Sequence, residues 1–234
     1  MATHGKNGKV YVDGFDLTEF IKSVSLDSTK ESPDTTTFSA NSKAYIAGLF
    51  DSTATVDGVA DNDPDGLDAM LEEIDALETI PYSYYPFGDT AETRGYGVGM
   101  ERTAHAKSQS VTEEVNFTLG LQGKVKRDYI ASITPLVELG AESTAYIDMG
   151  ADTTDGGVVY VHITGIDAQC TVTIQESTDG LGAGLDTVTS IVDVSTTGGY
   201  RIEVAGAIAR YIRVTVAGLT GTDKVTLQAG IKFN

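Results

Sequence analysis

From residue 144 to the last residues the chain repeats one pattern, in which Val, Ile, Thr and Tyr alternate with polar neighbours until Thr, Gly and Asp interrupt. A period of two puts successive side chains on opposite faces of an extended strand, whereas a helix needs a period near 3.6. The runs are Thr144–Met149, Gly157–Thr164, Cys170–Glu176, Ser190–Val194, Tyr200–Val204, Arg210–Val216 and Lys224–Phe233. Short strands at such spacing, separated by turns such as Asp155-Gly156-Gly157 and Asp179-Gly180, predict a β-sandwich.

The first part is more varied. Lys9–Val12, followed by the turn pair Asp13-Gly14, reads as a strand entering a hairpin, and Ser23–Asp27 as a second strand with one buried face. Residues 28–43, STKESPDTTTFSANSK, are polar, contain Pro33 and hold Phe38 as their one large apolar side chain. They predict a long connection, a kind of segment that tends to be functional or ordered by a partner. Further strand is expected in Tyr45–Phe50, Ser52–Ala60, Gly95–Met100, Ala104–Ser110 and Val115–Gly123, with a Pro-flanked edge strand at Ile80–Gly88. One helix is expected from Pro64 to Thr79. Asp63 is its N-cap, Leu67, Met70, Leu71, Ile74 and Leu77 form one face, and Pro81 stops it.

Pro135 and Gly140 interrupt the strand grammar, so a domain boundary is expected there, dividing residues 1–135 from 141–234. The predicted class is mainly β: an N-terminal β-sandwich or barrel with one flanking helix, plus a C-terminal β-sandwich.

The chain carries 16 basic and 34 acidic residues, a formal charge of -18, and both parts are acidic. Such a surface repels phosphate backbones and argues against gripping nucleic acid, although it suits a wall that DNA slides past. No run approaches the roughly 18–20 apolar residues of a membrane-spanning helix, and the opening MATHGKNGKV has no apolar signal region, so synthesis and folding in a cytoplasm are expected. Cys170 is the single cysteine, which excludes an intrachain disulfide, and its alternating surroundings read as a small buried hydrophobe.

Catalysis needs a base or nucleophile held by a second group, and the sequence is poor in both. Of the three histidines, His4 sits near the terminus, His105 in a polar strand, and His162 on the strand face opposite Val161 and Ile163, all more readily structural than catalytic. Gly95-Tyr96-Gly97-Val98-Gly99 has no following helix to hold phosphate and reads as a glycine-kinked strand. Asp61-Asn62-Asp63-Pro64-Asp65-Gly66 offers clustered oxygens, but Pro64 breaks the grammar of a calcium loop, leaving a turn and helix cap. No catalytic residue, metal or cofactor is expected.

The order of features in the first part carries a resemblance. V-x-V-D-G-x-D-L-T at Val10 to Thr18, V-S-L-D at Val24 to Asp27, the polar stretch Ser28 to Lys43, A-Y-I-A-G-L-F-D-S-T-A-T-V-D-G at Ala44 to Gly58, the acidic-faced helix and the strand Val115 to Gly123 together resemble the major tail-tube proteins of long-tailed bacteriophages. The resemblance implies six copies joined into a ring, rings stacked into a virion tail tube, contact with other tail proteins, and DNA passing through the lumen without specific binding. It also implies that Ser28, Lys30, Glu31, Asp34, Thr36, Phe38, Asn41 and Lys43 belong to a loop contacting the neighbouring ring. Gly156 to Thr164, Thr171 to Gly180 and Ala209 to Val216 resemble the immunoglobulin-like or carbohydrate-module-like decoration domains of phage virions. Tyr200 and Tyr211 are its candidate sugar-stacking residues, weakened by the absence of tryptophan. The competing readings are a virion-attached carbohydrate adhesin and a capsid decoration protein.

Overall fold

A computed structural model describes residues 7–37, 42–60, 71–72, 79–108 and 115–234. Nearly everything described is antiparallel β-structure. The strands are β1 (Lys9–Val12), β2 (Phe15–Asp16), β3 (Ile21–Lys30), β4 (Phe50–Val59), β5 (Ile80–Tyr85), β6 (Arg94–Ser108), β7 (Asn116–Gly123) and β8 (Asp128–Leu139). They continue with β9 (Ile147–Asp148), β10 (Gly157–Ile166), β11 (Cys170–Ser177), β12 (Asp186–Val194), β13 (Gly198–Val204), β14 (Tyr211–Ala217) and β15 (Val225–Phe233). Every run expected from residue 144 onward contains a strand, although of Thr144–Met149 only Ile147–Asp148 is one. The expected helix falls largely outside the described residues; Leu71 and Glu72 are helical, and Leu71 is buried.

The chain forms two compact units, and their division differs from the expected one at residues 135–141. The first unit comprises Met1–Glu19, Ile80–Gly97 and Asp128–Asn234, and the second Phe20–Thr79 and Val98–Arg127. The strand that alters the division is β8, which runs through the expected boundary and pairs with both β6 and β15. Pro135 is tolerated because the β8–β15 register shifts beside it: Leu227 faces Val137, while Ala229 faces Thr134. An amide-less residue fits such an irregularity without costing a ladder bond. Pro81 likewise does not mark an edge, since β5 lies between β1 and β6.

In the first unit, two sheets face each other. One has the order β13-β10-β15-β8-β6-β5-β1-β2 and the other β12-β11-β14-β9. Alternation along β10 explains how the larger sheet is buried on both sides. Val159, Val161 and Ile163 point to the sandwich core, where they join Ile231, Val172, Ile174, Ile212 and Val214. Cys170 is buried in the same core, and burial pushes its thiol pKa up.

Val158, Tyr160 and His162 take the other face, and there the sheet curls upon itself. The β1–β2 turn reaches the start of β13, with Gly199 N–H donating to Asp13 Oδ1 at 3.2 Å. At that turn Gly14 has φ +84°, and a Cβ there would lie 2.5 Å from the backbone of Gly198, so only glycine fits. The enclosed interior holds Tyr11, Tyr85, Ile130, Val158 and Tyr160. Three side-chain hydrogen bonds run through it: Tyr11 Oη donates to Asp89 at 2.6 Å, Gln228 Nε2 donates to Tyr85 Oη at 2.7 Å, and Tyr160 Oη donates to Asp128 at 2.8 Å, while the buried Gln228 Oε1 has no partner among the described residues. Lys232 at 2.9 Å and Arg201 complete the surroundings of Asp128. Burial raises the tyrosine pKa values, so these phenols stay protonated.

The second unit is a four-stranded sheet in the order β3-β4-β7-β6, to which β6 contributes its later residues. One face carries Ala54, Val56, Phe117, Leu119 and Leu121, all buried, and the other carries Thr53, Thr55, Asp57, Thr118 and Gln122. No helix among the described residues is long and apolar enough to cross a membrane.

Candidate assembly surface

The β3–β4 hairpin of the second unit has two regimes. Next to β7, its paired residues run from Ile21 and Gly58 to Ser28 and Ser52, and β4 is held on both sides. Beyond Ser52 the third strand ends and the two chains continue by themselves, with Lys30 facing Phe50. The ladder persists past the regular strands. Glu31 N–H donates to Leu49 O at 3.1 Å, Gly48 N–H to Glu31 O at 2.9 Å, Ile46 N–H to Pro33 O at 3.1 Å, and Thr35 N–H to Ala44 O at 2.8 Å. Residues expected to be a long connection therefore form much of a two-stranded arm.

Local chemistry stiffens this arm. Asp34 Oδ1 accepts the Thr36 amide at 2.8 Å and also the Thr36 hydroxyl, and these bonds hold the Asp34 carboxyl below the usual carboxylate range. Thr36 Oγ1 accepts the Ala44 amide at 3.0 Å, tying the outgoing leg to the returning one. The Lys30 ammonium sits 5.1 Å from the centroid of the Phe50 ring, a cation–π contact at the arm's root.

Of the loop residues expected to make contacts, Ser28 and Lys30 belong to β3, with Ser28 half-buried and bonded to the Ser52 hydroxyl at 3.0 Å. Glu31, Asp34 and Thr36 lie exposed on the outgoing leg and Lys43 on the return, while Phe38 and Asn41 lie outside the described residues. The structure adds three side chains that sequence reasoning had placed in an ordinary strand. Tyr45, Ile46 and Leu49 are 57%, 59% and 82% exposed. The run Tyr45–Phe50 reads simply as further strand, and no sequence signal says that the sheet stops at Ser52.

A second surface of the same kind is the outer edge of β3, which has no partner strand among the described residues. Unpaired backbone groups along an edge are a template for another chain.

The remaining sequence candidates do not converge. Tyr200 is half-buried and packs on the sandwich core, whereas Tyr211, on the other sheet, lies against Gly180 with the Arg210 guanidinium 5.2 Å from its ring centroid. His162 Nδ1 accepts the Gly14 amide at 3.4 Å, which leaves Nε2 to donate to the Ser83 hydroxyl at 2.9 Å. Burial lowers its pKa to about 3, so it is neutral at ordinary pH. His105 pairs with Glu72 at 3.5 Å, and His4 lies outside the described residues. The glycine-rich run Gly95–Gly99 is extended strand, as expected. Cβ atoms at Gly95 and Gly97 would lie 2.4 and 2.7 Å from the rings of Tyr85 and Tyr160, so these glycines make room for the interior tyrosines. The acidic cluster Asp61–Gly66 lies outside the described residues, and among those described no group of three His, Cys, Asp or Glu could hold a metal.

No protein-family model and no curated protein matches this chain. Among solved structures it is similar to a chain from the virion of a native gene transfer agent particle, at 14% identity over 55% of this chain and 98% of that one, with a TM-score of 0.43. It is also similar to the Dit protein of phage SPP1, at 8% identity over 97% and 99% of the two chains and a TM-score of 0.41. A third likeness is to the SPP1 tail tube, at 11% identity over 54% and 78% and a TM-score of 0.43. At these scores the likeness by itself assigns no function.

Proposed function

We propose that this chain is a structural subunit of a phage-type virion tail, one that joins copies of itself into rings and stacks those rings into a tube. The observation that carries the reading is the arm: a two-stranded ladder, running past the last supporting strand, that presents Tyr45, Ile46 and Leu49 to solvent. An isolated two-stranded hairpin is marginally stable in water, so an arm of this kind gains most when another surface covers it. Covering each large apolar side chain contributes about 1.5–3 kcal/mol, and three on one arm supply several kcal/mol per contact before ordering costs. In stacked rings the symmetry axis repeats that one contact for every subunit.

The sequence resemblance supports the same reading. In it the arm meets the neighbouring ring, other tail proteins are further partners, and a formal charge of -18 keeps passing DNA from adhering. The role is structural and non-enzymatic, and the location is the virion.

The test is negative-stain imaging of the purified chain beside the triple variant Tyr45→Ser, Ile46→Ser, Leu49→Ser. The wild type is expected to form rings or hollow tubes at high concentration, and the variant to keep its circular dichroism spectrum but remain as single particles. A wild type that stays monomeric throughout, or a variant whose tubes are as abundant as those of the parent, rejects the proposal.

A further inference from the structure

The first unit carries an aromatic row that neither its core nor the assembly reading employs. Tyr84 on β5, Tyr96 on β6 and Tyr129 on β8 occupy three neighbouring strands, with Tyr96 directly opposite Tyr129 in the ladder. The Tyr84 and Tyr96 rings are stacked at 6.5 Å and 27°, and the Tyr96 and Tyr129 rings lie at 5.1 Å and 52°. The row ends at Tyr129, which is 60% exposed, and beside it opens a cavity of about 240 Å³ lined in part by Glu92, Arg94, Met149 and Phe233.

The rim of this cavity is held in a costly conformation. Glu92 has φ +69°, a left-handed backbone that a non-glycine residue keeps only where its surroundings enforce it. Enforcement comes from the Glu92 amide donating to Ser132 O at 2.8 Å, the Thr93 amide to Thr90 O at 2.9 Å, and the Ser132 amide to Thr93 O at 2.9 Å. Two residues later comes the exposed Arg94, so an acceptor and a fork of donors line the same cavity as the Tyr129 ring.

We infer that Tyr129, Glu92 and Arg94 form a shallow binding site for a neutral saccharide. A pyranose presents a C–H face that packs on an aromatic ring and a rim of hydroxyls that both donate and accept, which matches a tyrosine flanked by a carboxylate and a guanidinium. The volume suits one or two sugar rings, being below the roughly 300–1,000 Å³ of drug-sized pockets. A formal charge of -18 disfavours anionic polymers, and nucleic acid with them, even though bases also stack on tyrosine. The inference stands whether or not the chain builds tubes.

The test is ligand-observed NMR and calorimetry on the full chain with cellohexaose, maltohexaose and chitohexaose, with polygalacturonate and an unrelated tyrosine-rich peptide as comparisons. At least one neutral oligosaccharide is expected to bind, Tyr129→Ala to weaken it about tenfold or more, Arg94→Ala to weaken it several-fold, and Leu181→Ala, exposed and outside the cavity lining, to leave it unchanged. Thermal melting checks that Tyr129→Ala is folded; if it is not, the Arg94→Ala result decides. The inference is overturned if no neutral oligosaccharide binds up to about 10 mM, if the deciding variant binds as the parent does, or if the anionic polymer or the peptide binds more tightly.

Discussion

Adding one methyl group inside the first unit should reveal how tightly its interior is fitted. In Gly97→Ala the new Cβ would stand 2.7, 2.8 and 3.0 Å from Cε2, Cζ and Cδ2 of Tyr160, where carbon atoms ordinarily rest at about 3.5–4.0 Å. The ring is fully buried, and its hydroxyl is held at one end by Asp128 at 2.8 Å and by Arg201 Nε at 3.2 Å, so it cannot swing aside without breaking those bonds. Overpacking of this kind costs about 1–3 kcal/mol, while replacing a strand glycine returns about 0.5–1 kcal/mol through the unfolded chain. A net loss of about 1–2 kcal/mol is expected, which is roughly a five- to thirty-fold fall in the folded-to-unfolded ratio. Urea unfolding followed by far-ultraviolet circular dichroism reads this as a midpoint lowered by about 0.5 M with an unchanged slope. Gly198→Ala is the control, because nothing lies within 4 Å of its Cβ, and it should be neutral or slightly stabilising. Equal midpoints for the two variants would refute the packing argument.

Two further predictions concern protons. His162 is held neutral down to about pH 3, whereas an unfolded imidazole protonates near 6.5, so between those values the unfolded chain binds the extra proton and stability falls as pH drops. The slope is at most about 1.4 kcal/mol per pH unit, His162→Gln should remove that part of it, and a native His162 ring titrating near 6.5 by NMR would contradict the burial account. The Asp148 carboxyl bonds to the Arg210 guanidinium and to the Gly150 amide, which hold its pKa down to about 2; any stability it contributes is present above about pH 4 and lost as pH falls toward 2. Carbon-detected titration should place its midpoint near 2, and Arg210→Gln should raise it; a midpoint unmoved by that substitution would exclude the guanidinium as the cause.

Period-two alternation was enough to locate every strand after residue 144, because each of those strands buries one face or both in a continuous core. It failed at β8, where Pro135 looks like a breaker in the sequence and is accommodated by a register shift that only the partner strand defines. The same limit hid the division into units, since β1 pairs with β5, the register running from Lys9 opposite Tyr85 to Val12 opposite Tyr82, and local pattern carries no record of such distant partners. On the arm, polarity and length correctly marked residues 28–43 as unusual, yet Tyr45, Ile46 and Leu49 passed for ordinary strand. Their exposure depends on β7 ending at Gly123, opposite Ser52, a fact of tertiary register. Tyr84, Tyr96 and Tyr129 are dispersed in the sequence, and the ladder alone aligns them.

The position of β15 has a consequence for biogenesis. Last in sequence among the described strands, it is inserted between β8 and β10, near the middle of the larger sheet rather than at its rim. A nascent polypeptide that has not yet emerged through Phe233 therefore has a gap where its sheet should be continuous, and its earlier strands wait unzipped. Such long-range closure is slow, on the order of milliseconds to seconds, and it delays maturation until translation has passed that point. The larger sheet of the first unit therefore closes only once β15 has been made, however early its other strands are synthesised.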